Sequence, residues 1–147
     1  MTITRVLVAH DAGARSFENR GPGKGLLQLS STDFEDGRRH VGEFEEDRPG
    51  RSFDRGGQGR HAYAAEQDAH EHAIEHFARE LAKDLGRDYR SGAFAQLVLI
   101  APPRFLGMLR GELDDLVGRT LIGTVAKDLP RATVNELCQQ LEPYLAC

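Results

Sequence analysis

The densest collection of chemically capable side chains lies between Asp47 and Tyr63, DRPGRSFDRGGQGRHAY. Arg48, Arg51, Arg55, Arg60 and His61 share this stretch with four glycines, and it has almost no aliphatic content. Guanidinium forks bind phosphate bidentately. Glycines let a backbone approach a ligand closely and leave N–H groups available as donors. The composition therefore fits contact with an anionic chain, and Gly56-Gly57-Gln58 sits in the middle of it. From Asp47 to His61 four arginines stand against two aspartates, in a chain whose net charge is −4. Glu43, Glu45 and Glu46 precede the segment, so its entrance is a charge boundary. The overall charge argues against broad affinity for nucleic acid, and no DNA partner is expected. The plain alternative for the whole segment is a solvated surface loop.

Three other groupings carry chemistry on paper. His72-Ala73-Ile74-Glu75-His76 matches the H-x-x-E-H pattern of inverted zinc peptidases. On a helix both histidines share a face, but that face lies opposite Ile74, Phe77 and Leu81. His70 falls about 200° around the helix from His72 at roughly 100° per residue, so the three cannot converge. A solvated polar face is the expectation. Asp11 follows the first apolar run, where a carboxylate can hold Mg²⁺ together with partners such as Glu71 and Asp128; Asp-Ala-Gly is equally ordinary turn chemistry. Arg104, after Pro102-Pro103, lies where a strand gives way to a helix, and it is a candidate phosphate ligand or a salt-bridge partner. No metal and no cofactor is expected.

The elements that must position these groups follow from periodicity. Thr2 to Ala9 reads as a buried strand, Ala14 to Asn19 as a second, and Leu26 to Phe34 as a third with Leu27, Leu29 and Ser31 on one face. His40 to Phe44 extends or flanks it. Apolar residues from Ala69 to Tyr89 recur at three- and four-residue spacing and predict an amphipathic helix from about Gln67 to Tyr89. Gln96 to Ala101 is a continuous apolar run, expected near the centre of a sheet. Pro103 to about Val117 should be helical, with Phe105, Leu106, Leu109, Leu113 and Leu116 on one side. Thr120 to Ala126 is a last strand. Thr133 caps a final helix, and Glu136 completes a capping box. The order βββαβαβα predicts an α/β fold of ribonuclease-H-like type. Its mixed five-stranded sheet joins an antiparallel meander to strands added by right-handed crossovers. The basic segment becomes a long loop at about 47–66 that joins elements, not domains, and a loop of that length in a compact fold tends to be functional.

At 147 residues and 39% hydrophobic content, the chain is expected to be a single domain over residues 1–147. The longest apolar run is too short to cross a bilayer, and the N-terminus has no secretion-signal pattern. Cys138 and Cys147 are expected to be free thiols in a reducing compartment, which makes the protein cytoplasmic and direct adhesion to a surface unexpected.

Two resemblances sharpen this reading. Gly56-Gly57-Gln58, preceded by Arg55, resembles the Gly-Gly-Gln motif of archaeal- and eukaryotic-type peptide release factors. There it lies on a loop before a long helix and reaches the ester of peptidyl-tRNA. Across nearly the whole chain, VLVAHDAGARSFEN, DRPGRSFD, GRHAY, EHFARELA, LVLIAPPRFLGMLR and VAKDLP are similar to the bacterial host-attachment protein family, itself related to the release-factor catalytic domain. The resemblance implies a ribosome- or tRNA-directed factor. Gly56, Gly57 and Gln58 would be its catalytic group, with peptidyl-tRNA hydrolysis as the reaction if there is one. Arg48, Arg51, Arg55, Arg60, His61 and Arg104 would be its phosphate ligands. A chain this short has no room for stop-codon reading or a partner-GTPase domain. The alternatives are an interaction protein that affects attachment through regulation or assembly, and, more distantly, a metal-dependent nuclease.

Overall fold

The computed structural model describes residues 1–34 and 57–147, with the backbone alone for 57–61. Strands β1 (Thr4–His10), β2 (Gly13–Asn19) and β3 (Leu27–Asp33) form the meander. Helix α1 (Gly57–Arg90) leads to β4 (Gln96–Ala101); α2 (Pro103–Glu112) and α3 (Asp115–Gly118) lead to β5 (Leu121–Ala126), and α4 (Val134–Leu141) follows. The sheet order is β3-β2-β1-β4-β5. β1 pairs antiparallel with β2 and parallel with β4, which pairs parallel with β5. This is the ribonuclease-H-like arrangement, with β4 inside the sheet as its unbroken apolar run requires.

The two faces of the sheet are closed by different helices, α1 and α2 on one and α4 on the other. Leu7, Leu97 and Leu99 pack under Phe77, Leu81 and Leu85 of α1 and Phe105 and Leu109 of α2. Val6, Val8, Val98 and Ile100, the alternate residues of the same strands, pack with Phe17 beneath Leu137 and Leu141 of α4. The period of two along β1 and β4 divides the two cores residue by residue. α4 starts where expected: the Glu136 N–H donates to Thr133 Oγ1 at 3.2 Å, and the Thr133 N–H donates to Glu136 Oε1 at 3.0 Å.

Several expectations are corrected. Helix α1 begins at Gly57, ten residues before Gln67, so 57–66 belong to the helix and not to the loop. Ala62, Ala64, Ala65 and Glu66 are good helix formers, and extending a nucleated helix needs no buried face; the glycines masked this in the sequence. The helix from Pro103 does not continue to Val117. Leu113 is extended, and Asp114 starts α3 by accepting the Val117 N–H at 2.9 Å. The break turns Val117 inward and leaves Leu116 exposed. Strand β3 has no buried face: all seven residues are exposed, and Leu29 is skipped in its register with β2, where Ser16 faces Ser30 and Phe17 faces Gln28. Cys138 and Cys147 are not free thiols but form a disulfide, with Cα atoms 5.8 Å apart. The turn after α4 brings them within bonding range despite a separation of nine residues.

Candidate functional site

Parallel strands β1, β4 and β5 direct their carboxyl ends to one edge of the sheet, where ligands of α/β folds collect. A cleft of about 400 Å³ lies at that edge. Asp11 enters it just after β1, Pro102 and Arg104 just after β4, and Asp128 just after β5. Helix α1 supplies one wall with Gln67, His70 and Glu71. Ile74 of the same helix and Phe105 and Met108 of α2 add an apolar surface.

Asp11, Glu71 and Asp128, grouped in the sequence as possible Mg²⁺ partners, and Arg104, considered apart from them, therefore meet in one place. Their charges do not favour a phosphate. Arg104 Nη2 donates to Glu71 Oε2, so its charge is already answered, and two further carboxylates flank it. Of the two roles open to Arg104, salt bridging is the one its geometry satisfies. Among the described residues no three His, Cys, Asp or Glu side chains come close enough together to hold a metal ion. His72 and His76 lie on the exposed face of α1, where His76 Nε2 is 3.8 Å from Glu80 Oε1. That is the solvated polar face expected of the H-x-x-E-H stretch. The turn at Asp11 is fixed locally: the Ala12 N–H donates to His10 Nδ1 at 3.1 Å.

The second component is the amino-terminal half of α1. At 1.5 Å per residue its 34 residues span about 51 Å. Its carboxyl end lies beside the amino end of β1, where Asp88 Oδ2 meets Arg5 Nη1 at 2.8 Å. Residues 67–74 line the cleft at the opposite end of the strands. The helix thus runs on past the strand ends for about ten residues, or about 15 Å. Its first buried residue among those described is Ile74. Gly57 and Gln58 stand in its first turn and Arg60 and His61 follow on the same helix. Gly56, Arg48, Arg51 and Arg55 and the suggested strand at His40 to Phe44 lie outside the described residues, as do the side chains of Gln58, Arg60 and His61.

What sequence reasoning missed is the cleft itself. Neither Gln67 nor His70 belongs to a sequence pattern that points to it. The available signal was positional: Asp11, Arg104 and Asp128 each follow a strand, and strands joined by right-handed crossovers must end on the same side.

Among the described residues no helix is long and apolar enough to cross a membrane. No curated protein matches the chain significantly. The crystal structure of an archaeal translation termination factor, aRF1, resembles it with a TM-score of 0.51 at 13% sequence identity, over 85% of this chain and 30% of that one. The likeness is one of fold, and the chain spans about a third of that factor's length. The family profile described as "protein required for attachment to host cells" matches residues 5–141, and the chain belongs to that family.

Proposed function

We propose that the chain is a small, cytoplasmic, release-factor-like domain that binds the ribosome or tRNA through the basic segment leading into α1. Arg48, Arg51, Arg55, Arg60 and His61 hold phosphates, and Gly56, Gly57 and Gln58 are the candidate catalytic group, of which Gly57 and Gln58 stand in the first turn of the helix. Arg104, paired with Glu71 and flanked by Asp11 and Asp128, is left out of the phosphate set. The observation that carries this reading is the coincidence of two features. The fold likeness to a translation termination factor spans most of the chain, and Gly57 and Gln58 open a helix that continues about 15 Å past the sheet. An effect on host attachment then arises indirectly, through translation.

The test is co-sedimentation with ribosomes at several salt concentrations, together with release of labelled peptide from peptidyl-tRNA. Arg55→Ala and Arg60→Ala should each weaken binding and flatten its salt dependence, since each removes a phosphate contact. Gly57→Ala separates chemistry from recognition: loss of peptide release with binding intact assigns catalysis to the tripeptide. Binding and any release that survive Gly57→Ala but not the arginine changes assign recognition alone. A wild-type chain that neither pellets with ribosomes nor releases peptide refutes the proposal.

A further inference from the structure

The segment after α4 is fastened to three separate parts of the molecule, by one covalent bond and by contacts that are weak alone. Cys138, half-buried on α4, is bonded to Cys147. The carbonyls of Ala146 and Cys147 accept from the Gly23 and Gly25 N–H groups at 3.3 and 3.1 Å. Tyr144 lays its ring over Gly123 of β5 and donates its hydroxyl to the Thr124 carbonyl at 3.1 Å. No residue from 142 to 147 is buried, although Leu145 and Cys147 pack against the second core. The receiving turn, Arg20 to Gly25, has φ of 133°, 75° and 73° at Gly21, Gly23 and Gly25. Only glycine adopts such angles without strain, so the turn has a shape of its own to offer the segment. A cleft of about 540 Å³ lies between them, with Met1, Thr2 and Lys24 on one side and Tyr144, Leu145 and Ala146 on the other.

We propose that Cys138 and Cys147 form a reversible thiol-oxidation site that clasps residues 142–147 onto the Arg20–Gly25 turn when oxidised and releases them when reduced. The oxidant class is a small-molecule disulfide. One cysteine thiolate attacks it and displaces one small thiol, leaving a mixed disulfide. The second cysteine attacks that sulfur, forms the intrachain bond and displaces the other small thiol. Two protein thiols are oxidised and one small disulfide is reduced to two thiols, so protons and electrons balance. A dithiol runs the exchange backwards. The ring closed by the bond is short, and without it the segment keeps only single hydrogen bonds and partial packing, each of which opens readily. Reduction removes one wall of the cleft and uncovers the basic glycine turn. Oxidation restores both.

The full chain is treated with glutathione disulfide or with a dithiol, and thiol count and amide hydrogen exchange are read by mass spectrometry and NMR. Oxidised chain should carry neither free thiols nor a glutathione adduct. In the reduced chain the Gly23 and Gly25 amides should exchange about tenfold faster or more, while those of Val98 and Leu99 stay unchanged. Cys147→Ser should exchange like the reduced chain under both conditions, with circular dichroism confirming that it is folded. Three results would overturn the proposal: equal exchange at Gly23 and Gly25 in both states, oxidation that halts at a glutathione adduct, or a bond that excess dithiol fails to open in the folded protein.

Discussion

Substituting Ala65 by proline separates the function of the long helix from the stability of the fold. Ala65 is exposed, eight residues into α1 and nine before Ile74, the first buried position among those described. Proline inside a helix removes a hydrogen bond and collides with the preceding turn, at about 3 kcal/mol if the helix is kept intact. Here the chain has a cheaper escape. The turns before residue 65 can unwind, and near a helix end each residue's propagation is close to neutral. The global loss should therefore stay under about 1 kcal/mol, a melting shift under about 4 °C for a chain of this size. At Ala78, which is fully buried among the core residues of α1, the same change has no such escape. There the proline cost adds to lost core packing, and the protein should unfold. The assays are thermal melting by far-UV circular dichroism and ribosome co-sedimentation. Ala65→Pro should melt with the wild type and lose ribosome binding. If it binds as the wild type does, presentation at the head of α1 plays no part. If it melts ten or more degrees lower, residues 57–73 belong to the cooperative core and the reasoning fails.

Three further outcomes follow from the packing. Asp88→Ala should destabilise the protein by about 2 kcal/mol in urea titration, because Arg5 is buried and would lose its partner; that is less than the roughly 3–5 kcal/mol of a fully buried pair, since Asp88 is 37% exposed. Gly123→Ala places a methyl group inside the Tyr144 ring and should cost about 1–2 kcal/mol by displacing that ring and its hydrogen bond to Thr124; adding Tyr144→Ala should recover part of the loss. The hydrogen bond from the Thr133 backbone, and then that with its side chain, holds the Glu136 carboxyl below its ordinary value of 4.5. A lowered folded-state pKa contributes stability that is present above 4.5 and lost as pH falls through the folded value. Fraying of α4 should therefore set in below that pH by NMR, and Thr133→Ala, which keeps the backbone donor and loses only the side-chain one, should lessen the acid-dependent step.

Legibility in the sequence followed the strength of local signals. Gln96 to Ala101 was read to the residue because an apolar run between a Ser-Gly stop and two prolines leaves no freedom. Thr133 and Glu136 announced α4 because a capping box is local chemistry. The early start of α1 was hidden because residues 57–66 carry no apolar period in the sequence, and glycine outweighed the alanines beside it. The pause at Leu113 and Asp114 was hidden because apolar spacing continues across it while only the cap reverses the chain. The thiols misled because their pairing state was judged from their number and their place in one short segment, and not from the turn that makes Cys138 and Cys147 neighbours. Of the candidate site, Asp11, Glu71 and Asp128 could be grouped from the sequence as possible metal partners, but that Arg104 joins them and pairs with Glu71 depends on strand order and crossover hand, which no single stretch encodes.

The anchoring of α1 also has a mechanical meaning. Among the described residues the helix first enters the core at Ile74, and its first residue lies seventeen positions earlier, about 25 Å along the axis. A rigid rod held in that way is a lever whose fulcrum coincides with the cleft wall at Glu71 and Ile74. A tilt of about 5° there, well within what packed helices undergo, carries the first turn through about 2 Å, a displacement on the scale of a hydrogen-bond length. Events at the strand ends, small in themselves, are thus magnified at Gly57.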